Sequence, residues 1–391
     1  MRIKSLKQVK HWRGQTVFLR VDFNVPLAGG KIKDDYRLQA GLATIEFLRQ
    51  QGARLVVATH LGEPGGRSAK YSVKPVAARL KLLLKKPVKF LPDCIGAPVQ
   101  TAVKKMKNGE IIMLENLRFH QGEYDNDDGF AKQLAALADI YVNDAFSVCH
   151  REQASVAAIK KYLPSYAGLL LVKEVTALNK VLKPQPPLVL IMGGAKISTK
   201  APLLAKLYPA ASQILLGGAL ANNFFKFKKL EIGRSLFDKD SAATVKKFFR
   251  AGKLAAKIML PVDVVVKTKN QEARVKNPAA VGREDSILDI GPKTISLYAS
   301  YIKKAQTLVW NGPLGKFEES SFKHGTLAIG SLIAARSSGK AYGVVGGGET
   351  IEALKMTKMS EYVDWVSTAG GAMLAYLGGA KMPGLTKIIT K

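Results

Sequence analysis

The chain has 391 residues, of which 47% are hydrophobic, and its formal net charge is +30. That length exceeds what one hydrophobic core usually serves, so we expect two domains, and the hydrophobic share excludes a disordered chain. No apolar run reaches the roughly 18–20 residues that a membrane span needs, which excludes a transmembrane protein.

The cysteine content and the N-terminal segment both predict a cytoplasmic protein. Only Cys94 and Cys149 occur, too few for a disulfide framework or a cysteine-based metal site. The first ten residues are charged at intervals and lack the apolar stretch of a signal peptide.

The positive charge has three interpretations. Solvated lysines that reflect a basic proteome are the plainest, and a field that steers polyanionic substrates is the second. Nucleic-acid binding through counterion release is the third. Because Lys and Arg are spread along the whole chain without zinc-finger spacing, an RNP-like segment or a basic tail, we expect no specific nucleic-acid partner.

Short apolar, β-branched runs alternate with longer segments of helical period, which is typical of parallel sheets covered by helices. The predicted strands of the first half are 16–22, 54–59, 110–115 and 139–143. Those of the second half are 188–192, 213–217, 262–266, 307–311, 341–345 and 362–366. Helical patterns include 36–50, 72–86, 128–138 and 169–182. The predicted fold class is α/β, with two Rossmann-like lobes that are each a parallel sheet flanked by helices.

A connecting helix is predicted between the two halves. Segment 169–182 carries apolar residues at three- and four-residue spacing, and Lys183-Pro-Gln-Pro-Pro187 then breaks the chain before the next strand. We therefore predict a first lobe over 1–168, a connecting helix and hinge over 169–187, and a second lobe over 188–372.

Polar and charged residues follow the strands of the first half. They are Asp22, Asn24, His60, Arg118, Asp144, His150 and Arg151. In open α/β sheets, ligands bind beyond the carboxyl ends of the strands. Because donors and cations suit a small acid that bears carboxylate and phosphate groups, we expect the first lobe to bind such an acid.

Glycines follow the strands of the second half. The segments are Gly193-Gly194-Ala-Lys196, Gly217-Gly218, Asn311-Gly312, Gly346-Gly347-Gly348 and Ser367-Thr-Ala-Gly-Gly371. Glycine lets backbone N–H groups approach phosphates, and a following helix N-terminus adds its positive dipole end. One such pair is more often a tight turn, but the repetition predicts a nucleotide site. No Walker loop or G-x-G-x-x-G fingerprint occurs in the expected place, which disfavours a dinucleotide oxidoreductase.

At these strand ends the sequence resembles the phosphoglycerate kinase family, from about residue 3 to 386. The matching segments of the first half are Arg20-Val-Asp-Phe-Asn-Val-Pro26, Asp34-Asp-Tyr-Arg37, His60-Leu-Gly62, Lys70-Tyr-Ser72, Leu114-Glu-Asn-Leu-Arg-Phe-His120, Tyr141-Val-Asn-Asp-Ala-Phe146 and His150-Arg151. Those of the second half are Gly193-Gly-Ala-Lys196, Asp289-Ile-Gly-Pro-Lys293, Trp310-Asn-Gly-Pro-Leu-Gly315, Phe317-Glu318 and Gly346-Gly-Gly-Glu-Thr350. Their order along the chain makes chance similarity negligible.

The resemblance implies reversible phosphoryl transfer between 1,3-bisphosphoglycerate with Mg-ADP and 3-phosphoglycerate with Mg-ATP, in glycolysis or carbon fixation, by a monomer. The positions implied for the acid are Asp22, Phe23, Asn24, Arg37, His60, Leu61, Gly62, Glu63, Arg118 and Arg151. Those implied for the nucleotide are Gly193, Ala195, Lys200, Gly217, Gly218, Leu288, Asn311, Pro313, Glu318, Gly347, Gly348, Glu349 and Thr350. Arg37, Lys196 and Lys200 resemble the cations that meet the transferring group. Residues 373–391 resemble the family's C-terminal segment, which returns to the first lobe.

The chemistry of an acyl phosphate agrees with those roles. The acid's carboxylate needs no base to attack, so catalysis rests on alignment and on neutralising charge. Arg suits a bidentate grip on phosphate, and Lys supplies a point charge. Mg²⁺ keeps several waters, so one carboxylate, expected to be Glu349, suffices to engage it through the nucleotide. Acid and nucleotide on separate lobes predict hinge closure about 169–187.

Several positions depart from the family pattern close to the expected chemistry. Glu63 stands where similar proteins usually have Arg, Ser147 and Ala369 replace Gly, Gln153 and Trp365 replace His, and Thr199 and Glu349 replace Asp. Arg67 is a candidate to replace the cation that is missing at position 63. Ala369 tolerates a left-handed backbone poorly.

Two other functions stay open. The first is a kinase-derived scaffold with weak catalysis that binds nucleic acid or anionic surfaces through its positive charge. The second is a related kinase that acts on a different acid, which the charge reversal at Glu63 suggests.

Overall fold

The computed structural model describes residues 2–250 and 257–390, and the chain divides into two compact units. The first unit holds the residues up to Thr176 together with those from Lys381 onward, and the second holds Ala177–Ala380. The division falls inside one helix, Leu169–Leu182, whose bounds agree with the predicted connecting helix. Among the described residues, no helix is both long and apolar enough to span a bilayer.

The first unit is built on a six-stranded parallel sheet. Its elements are β1 (Arg2–Ile3), β2 (Thr16–Arg20), β3 (Leu27–Ala28), β4 (Lys31–Ile32), α1 (Tyr36–Gln50), β5 (Arg54–Ala58), α2 (Lys74–Leu84), β6 (Lys89–Phe90), α3 (Ala97–Lys104), β7 (Ile111–Met113), α4 (Gln121–Tyr124), α5 (Asp128–Ala135), β8 (Ile140–Asn143), β9 (Ser165–Ala167) and α6 (Leu169–Leu182). The strand order is β6-β7-β5-β2-β8-β9. Every residue of β2 is buried, as expected for the centre of a sheet covered on both faces.

The second unit contains another six-stranded parallel sheet. Its elements are β10 (Leu188–Met192), α7 (Ala201–Leu207), β11 (Ala211–Leu216), α8 (Gly218–Phe227), α9 (Ala242–Arg250), β12 (Ile258–Met259), β13 (Val264–Lys267), β14 (Ala273–Lys276), β15 (Ser286–Ile290), α10 (Pro292–Ile302), β16 (Thr307–Asn311), α11 (His324–Ser337), β17 (Tyr342–Gly346), α12 (Gly348–Met356), β18 (Trp365–Ser367) and α13 (Gly370–Leu377). The strand order is β12-β11-β10-β16-β17-β18. The two parallel sheets confirm the predicted fold class.

The prediction that segment 262–266 belongs to the second parallel sheet is wrong. The segment forms β13, the middle strand of a separate antiparallel sheet with the order β14-β13-β15. Val264 and Val266 are buried, whereas the residues that alternate with them are only partly buried. Such alternation is typical of a sheet with one face covered. The consecutive valines of this segment instead predicted a strand buried on both faces. The short strand β12 pairs with β11 in its place.

The C-terminal residues complete the first unit. Strand β19 (Ile389–Thr390) pairs antiparallel with β1, and the side chain of Asn143 donates to the carbonyl oxygen of Gly384 at 3.1 Å. The segment predicted to return, 373–391, joins the first unit only from Lys381 onward, because α13 packs against α7 of the second unit.

Candidate active site

The carboxyl ends of four neighbouring strands bring the predicted acid-binding residues to one edge of the first sheet. β7, β5, β2 and β8 lie side by side in that order. The residues that follow them are Arg118, His60 to Glu63, Asp22 to Asn24, and Arg151. Because all four strands run parallel, these loops leave the sheet on the same side, where open α/β sheets bind ligands.

Asp22 and Arg37 form an ion pair at this edge. Nη1 of Arg37, from the first turn of α1, contacts Oδ2 of Asp22, and the Ser147 hydroxyl donates to the same oxygen. Ser147 therefore gives Asp22 a contact that a glycine could not supply. The pair leaves about a third of the Arg37 side chain exposed, so its guanidinium can still reach a ligand.

Gly62 is a glycine for a physical reason. Its φ is +63°, and a Cβ there would lie 2.4 Å from the Tyr71 ring. Its N–H donates to Oδ1 of Asn24 at 2.9 Å, and its carbonyl accepts from Nη1 of Arg118 at 2.8 Å. The predicted residues Asn24, Gly62 and Arg118 are thus joined by one hydrogen-bond chain.

Arg118 is the buried cation of this site. Its side chain is only 1% exposed, and its Nε and Nη2 atoms have no hydrogen-bond partner among the residues that the structure describes. Burial lowers the pKa of the guanidinium, and the Glu63 carboxylate opposes that shift. A buried cation is stabilised by an anion that pairs with it.

Glu63 contributes a carboxylate to the cationic edge. Its Oε1 lies 2.8 Å from Nη1 of Arg118 and 3.0 Å from Nη1 of Arg151. Arg67, the candidate replacement cation, contacts the Pro92 carbonyl and lies 3.5 Å from Asp93. The contacts of the Arg67 guanidinium are therefore with Pro92 and Asp93, and not with the site formed by Arg118 and Arg151.

His60 is neutral and fully enclosed. Burial lowers the pKa of its imidazole well below the usual range, and the charges of Arg20 and Arg118 lower it further. Its Nδ1 lies 3.3 Å from Nη2 of Arg20, which can only donate, so the ring proton is assigned to Nε2. The Nε2 atom of His60 is thus a neutral N–H donor in a buried position.

Two predicted acid-binding residues face the core. The side chains of Phe23 and Leu61 are buried, and their backbone N–H groups donate to Thr59 Oγ1 and Asn116 Oδ1. Asn116 was not among the predicted site residues. Its Oδ1 also accepts from the backbone N–H of Arg118 at 3.0 Å, and the signal that could have found it is a polar residue three positions after the end of a buried strand.

Glycine turns follow four neighbouring strands of the second sheet, β11, β10, β16 and β17. They begin at Gly217, Gly193, Gly312 and Gly347. A Cβ on Gly193 would lie 2.0 Å from the Pro313 carbonyl oxygen. The Gly193 and Gly194 N–H groups donate to the Asn311 and Pro313 carbonyls at 3.0 and 2.8 Å. The turns after β10 and β16 therefore pack backbone against backbone.

Lys200 is the buried cation of the second unit. Its side chain precedes α7 and is 7% exposed, and burial lowers its pKa while the charge of Glu349 opposes that shift. Nζ lies near the Gly194 turn, 3.2 Å from where a Cβ on Gly194 would stand. Ala195 and Lys196 are exposed on the same loop. The nearby departure Thr199 is also exposed, and its hydroxyl donates to the Lys196 carbonyl.

The turn after β17 supports the start of α12. Gly347 has φ +105°, and Oγ1 of Thr350 accepts from the N–H of Gly312 at 2.7 Å. Gly348 and Glu349 are exposed in the first turn of α12, and no heavy atom lies within 4 Å of a Cβ placed on Gly348. The open side of this turn therefore has room for a ligand.

The remaining predicted nucleotide residues border the same turns. Gly218 has φ +59° and donates to the Leu314 carbonyl at 2.9 Å, whereas the Leu288 carbonyl accepts from Lys316 at 2.7 Å. Glu318 is exposed on the following loop. Next to Leu288, burial raises the pKa of the Asp289 carboxyl to about 7.

The expected backbone problem at Ala369 does not arise. Ala369 has φ −90°, which alanine adopts without strain, and the positive φ falls on Gly370 at +32°. The sequence pattern placed the left-handed residue one position too early.

One group of possible metal ligands lies apart from these turns, in the part of the chain that the structure describes. The ligand atoms of Asp93, Cys94 and His120 lie within 4.8 Å of one another. Each already has a partner: Nε2 of His120 lies 2.8 Å from Asp93, and the Cys94 thiol donates to the Glu115 carbonyl. Burial raises the pKa of that thiol well above its usual value, which disfavours the thiolate that a metal requires.

Comparisons with known proteins identify the family of this chain. The family model described as phosphoglycerate kinase matches residues 6–380. Phosphoglycerate kinase of Borrelia hermsii is 43% identical over 397 residues, covering 100% of both chains. That of Aquifex aeolicus is 41% identical, covering 100% of this chain and 99% of its own. The solved structure of phosphoglycerate kinase from Coxiella burnetii has a TM-score of 0.87 at 37% identity and 99% coverage of both chains.

Proposed function

Because the chain belongs to the phosphoglycerate kinase family, it moves a phosphoryl group reversibly between 1,3-bisphosphoglycerate with ADP and 3-phosphoglycerate with ATP, and we propose how its two units divide that work. The first unit holds the acid through Arg118, Arg151 and Arg37. The second unit holds the nucleotide on the glycine turns beside Lys200. Nothing in the family match or among the relatives supports the nucleic-acid-binding alternative.

The observation that carries this division is a buried cation in each unit. Arg118 lies at the edge of the first sheet with two buried donors that have no partner among the described residues, and Lys200 lies beside a glycine turn of the second. Burial restricts the motion of both side chains, and a preorganised cation requires little reorganisation during the reaction.

The chemical step follows from these cations. A carboxylate oxygen of 3-phosphoglycerate attacks the γ-phosphorus of ATP, and the bond to the β-phosphate oxygen breaks with its electron pair remaining on ADP. The acid is ionised at neutral pH, so no protein base takes part. Arg37, Lys196 and Lys200 neutralise the charge on the transferring group.

Glu349 is the residue proposed to engage Mg²⁺ through the nucleotide. Its carboxylate is exposed beside the open turn at Gly348, and its charge is felt by Lys200. A single carboxylate fits a cation that retains waters and takes its other oxygens from phosphates. When bound, Mg²⁺ supplies charge neutralisation on those phosphates. We also place the protein in the cytoplasm, which suits two buried cysteines that form no disulfide. We propose that it is a monomer, which is typical of similar proteins.

A coupled assay of ADP formation from Mg-ATP and 3-phosphoglycerate tests the function. We expect turnover of about 1–100 per second, the usual range for kinases. Glycerate, which lacks the phosphate that the arginines would bind, serves as the control acid. Folded protein that turns over neither acid would contradict the proposal, and equal turnover of both would assign the site to a different acid.

Hinge closure about residues 169–187 is proposed because acid and nucleotide belong to different units and must meet for transfer. Small-angle scattering should show a smaller radius of gyration with both substrates than with either one. An unchanged radius under saturating ligands would remove the hinge from the mechanism.

A further inference from the structure

The carboxylate of Glu63 contacts the two arginines that the first unit offers to an anion. The same oxygen, Oε1, lies 2.8 Å from Arg118 and 3.0 Å from Arg151, and the Tyr124 hydroxyl donates to Oε2 at 3.3 Å. A carboxylate that binds two guanidinium groups makes the contacts that a ligand oxyanion would make.

The exposure of these groups indicates which one can move. The Glu63 side chain is 59% exposed and that of Arg151 is 42% exposed, whereas that of Arg118 is 1% exposed. Arg118 is also held by the Gly62 carbonyl. Glu63 is therefore the member of this cluster that can turn into water, while Arg118 stays in place.

We propose that Glu63 is an intramolecular competitor that occupies the Arg118–Arg151 pair until the phosphate group of the acid displaces it. This inference rests on the proposed function, since it concerns the same site. A phosphate dianion carries more charge and more acceptor oxygens than one carboxylate. The donors that it would take over are the Nη1 atoms of Arg118 and Arg151, which Glu63 occupies. Glu63 thereby sets the affinity for the acid without contacting the reacting atoms.

The test compares Glu63→Gln with the wild type by calorimetric titration of 3-phosphoglycerate and of inorganic phosphate. Glutamine keeps the size of the side chain but removes the competing charge. We expect both ligands to bind about three- to tenfold more tightly, as expected when one partly exposed, charge-assisted contact is removed. The KM for 3-phosphoglycerate should fall by the same factor while the KM for Mg-ATP stays constant.

Glu152→Gln is the matched control. Glu152 follows Arg151 in sequence, is 57% exposed and pairs with Lys381 at 3.0 Å instead of an arginine of the site. It should leave both affinities unchanged, which separates occupation of the arginines from a change of net charge. An equal gain in both variants would reduce the effect to general electrostatics and overturn the inference.

Two other results of the Glu63→Gln titrations would also overturn the inference. Unchanged affinities in Glu63→Gln would show that Glu63 does not compete, and weaker binding would show that it positions the arginines for the ligand. Either result overturns the inference. Since inorganic phosphate binds without turnover, that titration decides the role of Glu63 even if the proposed kinase reaction fails in the assay.

Discussion

Replacing Lys200 with methionine is expected to lower kcat by about 10²–10³-fold, the usual cost of removing one preorganised group that stabilises the transition state. Methionine retains an unbranched chain without the ammonium group. The KM for 3-phosphoglycerate should change little, because the acid is assigned to the other unit. Steady-state assays with each substrate varied in turn measure both quantities.

A stability measurement separates catalytic loss from misfolding. Lys200 is 7% exposed and burial lowers its pKa, so the fold disfavours its charge and methionine should not reduce the free energy of unfolding. Lys206→Met, in the exposed part of the same helix α7, is the matched control and should retain wild-type kcat. Equal activity of the two variants would exclude Lys200 from the chemical step.

Gly193→Ala is expected to destabilise the second unit by about 3 kcal/mol or more, as steric overpacking in a rigid environment does. The new Cβ would lie 2.0 Å from the carbonyl oxygen of Pro313 and 2.7 Å from that of Gly312. Both are backbone atoms, so no side chain can turn aside to relieve the contact. Urea denaturation of the variant and the wild type measures the loss.

Gly348→Ala is the comparison that makes this result specific. No heavy atom lies within 4 Å of a Cβ at that position, and Gly348 does not have a positive φ. The free energy of unfolding of the Gly348→Ala variant should stay within about 0.5 kcal/mol of the wild-type value. If both variants were equally stable, the backbone packing of β10 against β16 would not be the reason for a glycine at 193.

Local sequence pattern was sufficient to predict most of the fold. Helix Tyr36–Gln50 and strands Leu188–Met192 and Thr307–Asn311 have the predicted bounds, because continuous apolar runs and helical periods reflect burial directly. That the residues after parallel strands lie together was also predictable, because the direction of the chain fixes the side on which they leave the sheet.

Contacts between residues that are distant in sequence could be known only from the tertiary structure. Glu63 could be recognised as a charge reversal, but its contact with Arg151, 88 residues away, depends on how two loops meet. Arg67 could equally have turned toward the site or toward Pro92. The sequence of β13 predicts a buried parallel strand, and only its pairing with β14 and β15 shows that its sheet is antiparallel.

The sequence by itself therefore determined the family, through its motifs, and the two parallel sheets, through burial and chain direction. It also predicted the edges at which we propose that ligands bind. The tertiary structure alone decided that Arg118 is buried, that Glu63 contacts it, and that Gly193 has no room for a Cβ. The reason is that burial, ion pairing and steric fit each depend on atoms from segments that no local pattern relates to one another.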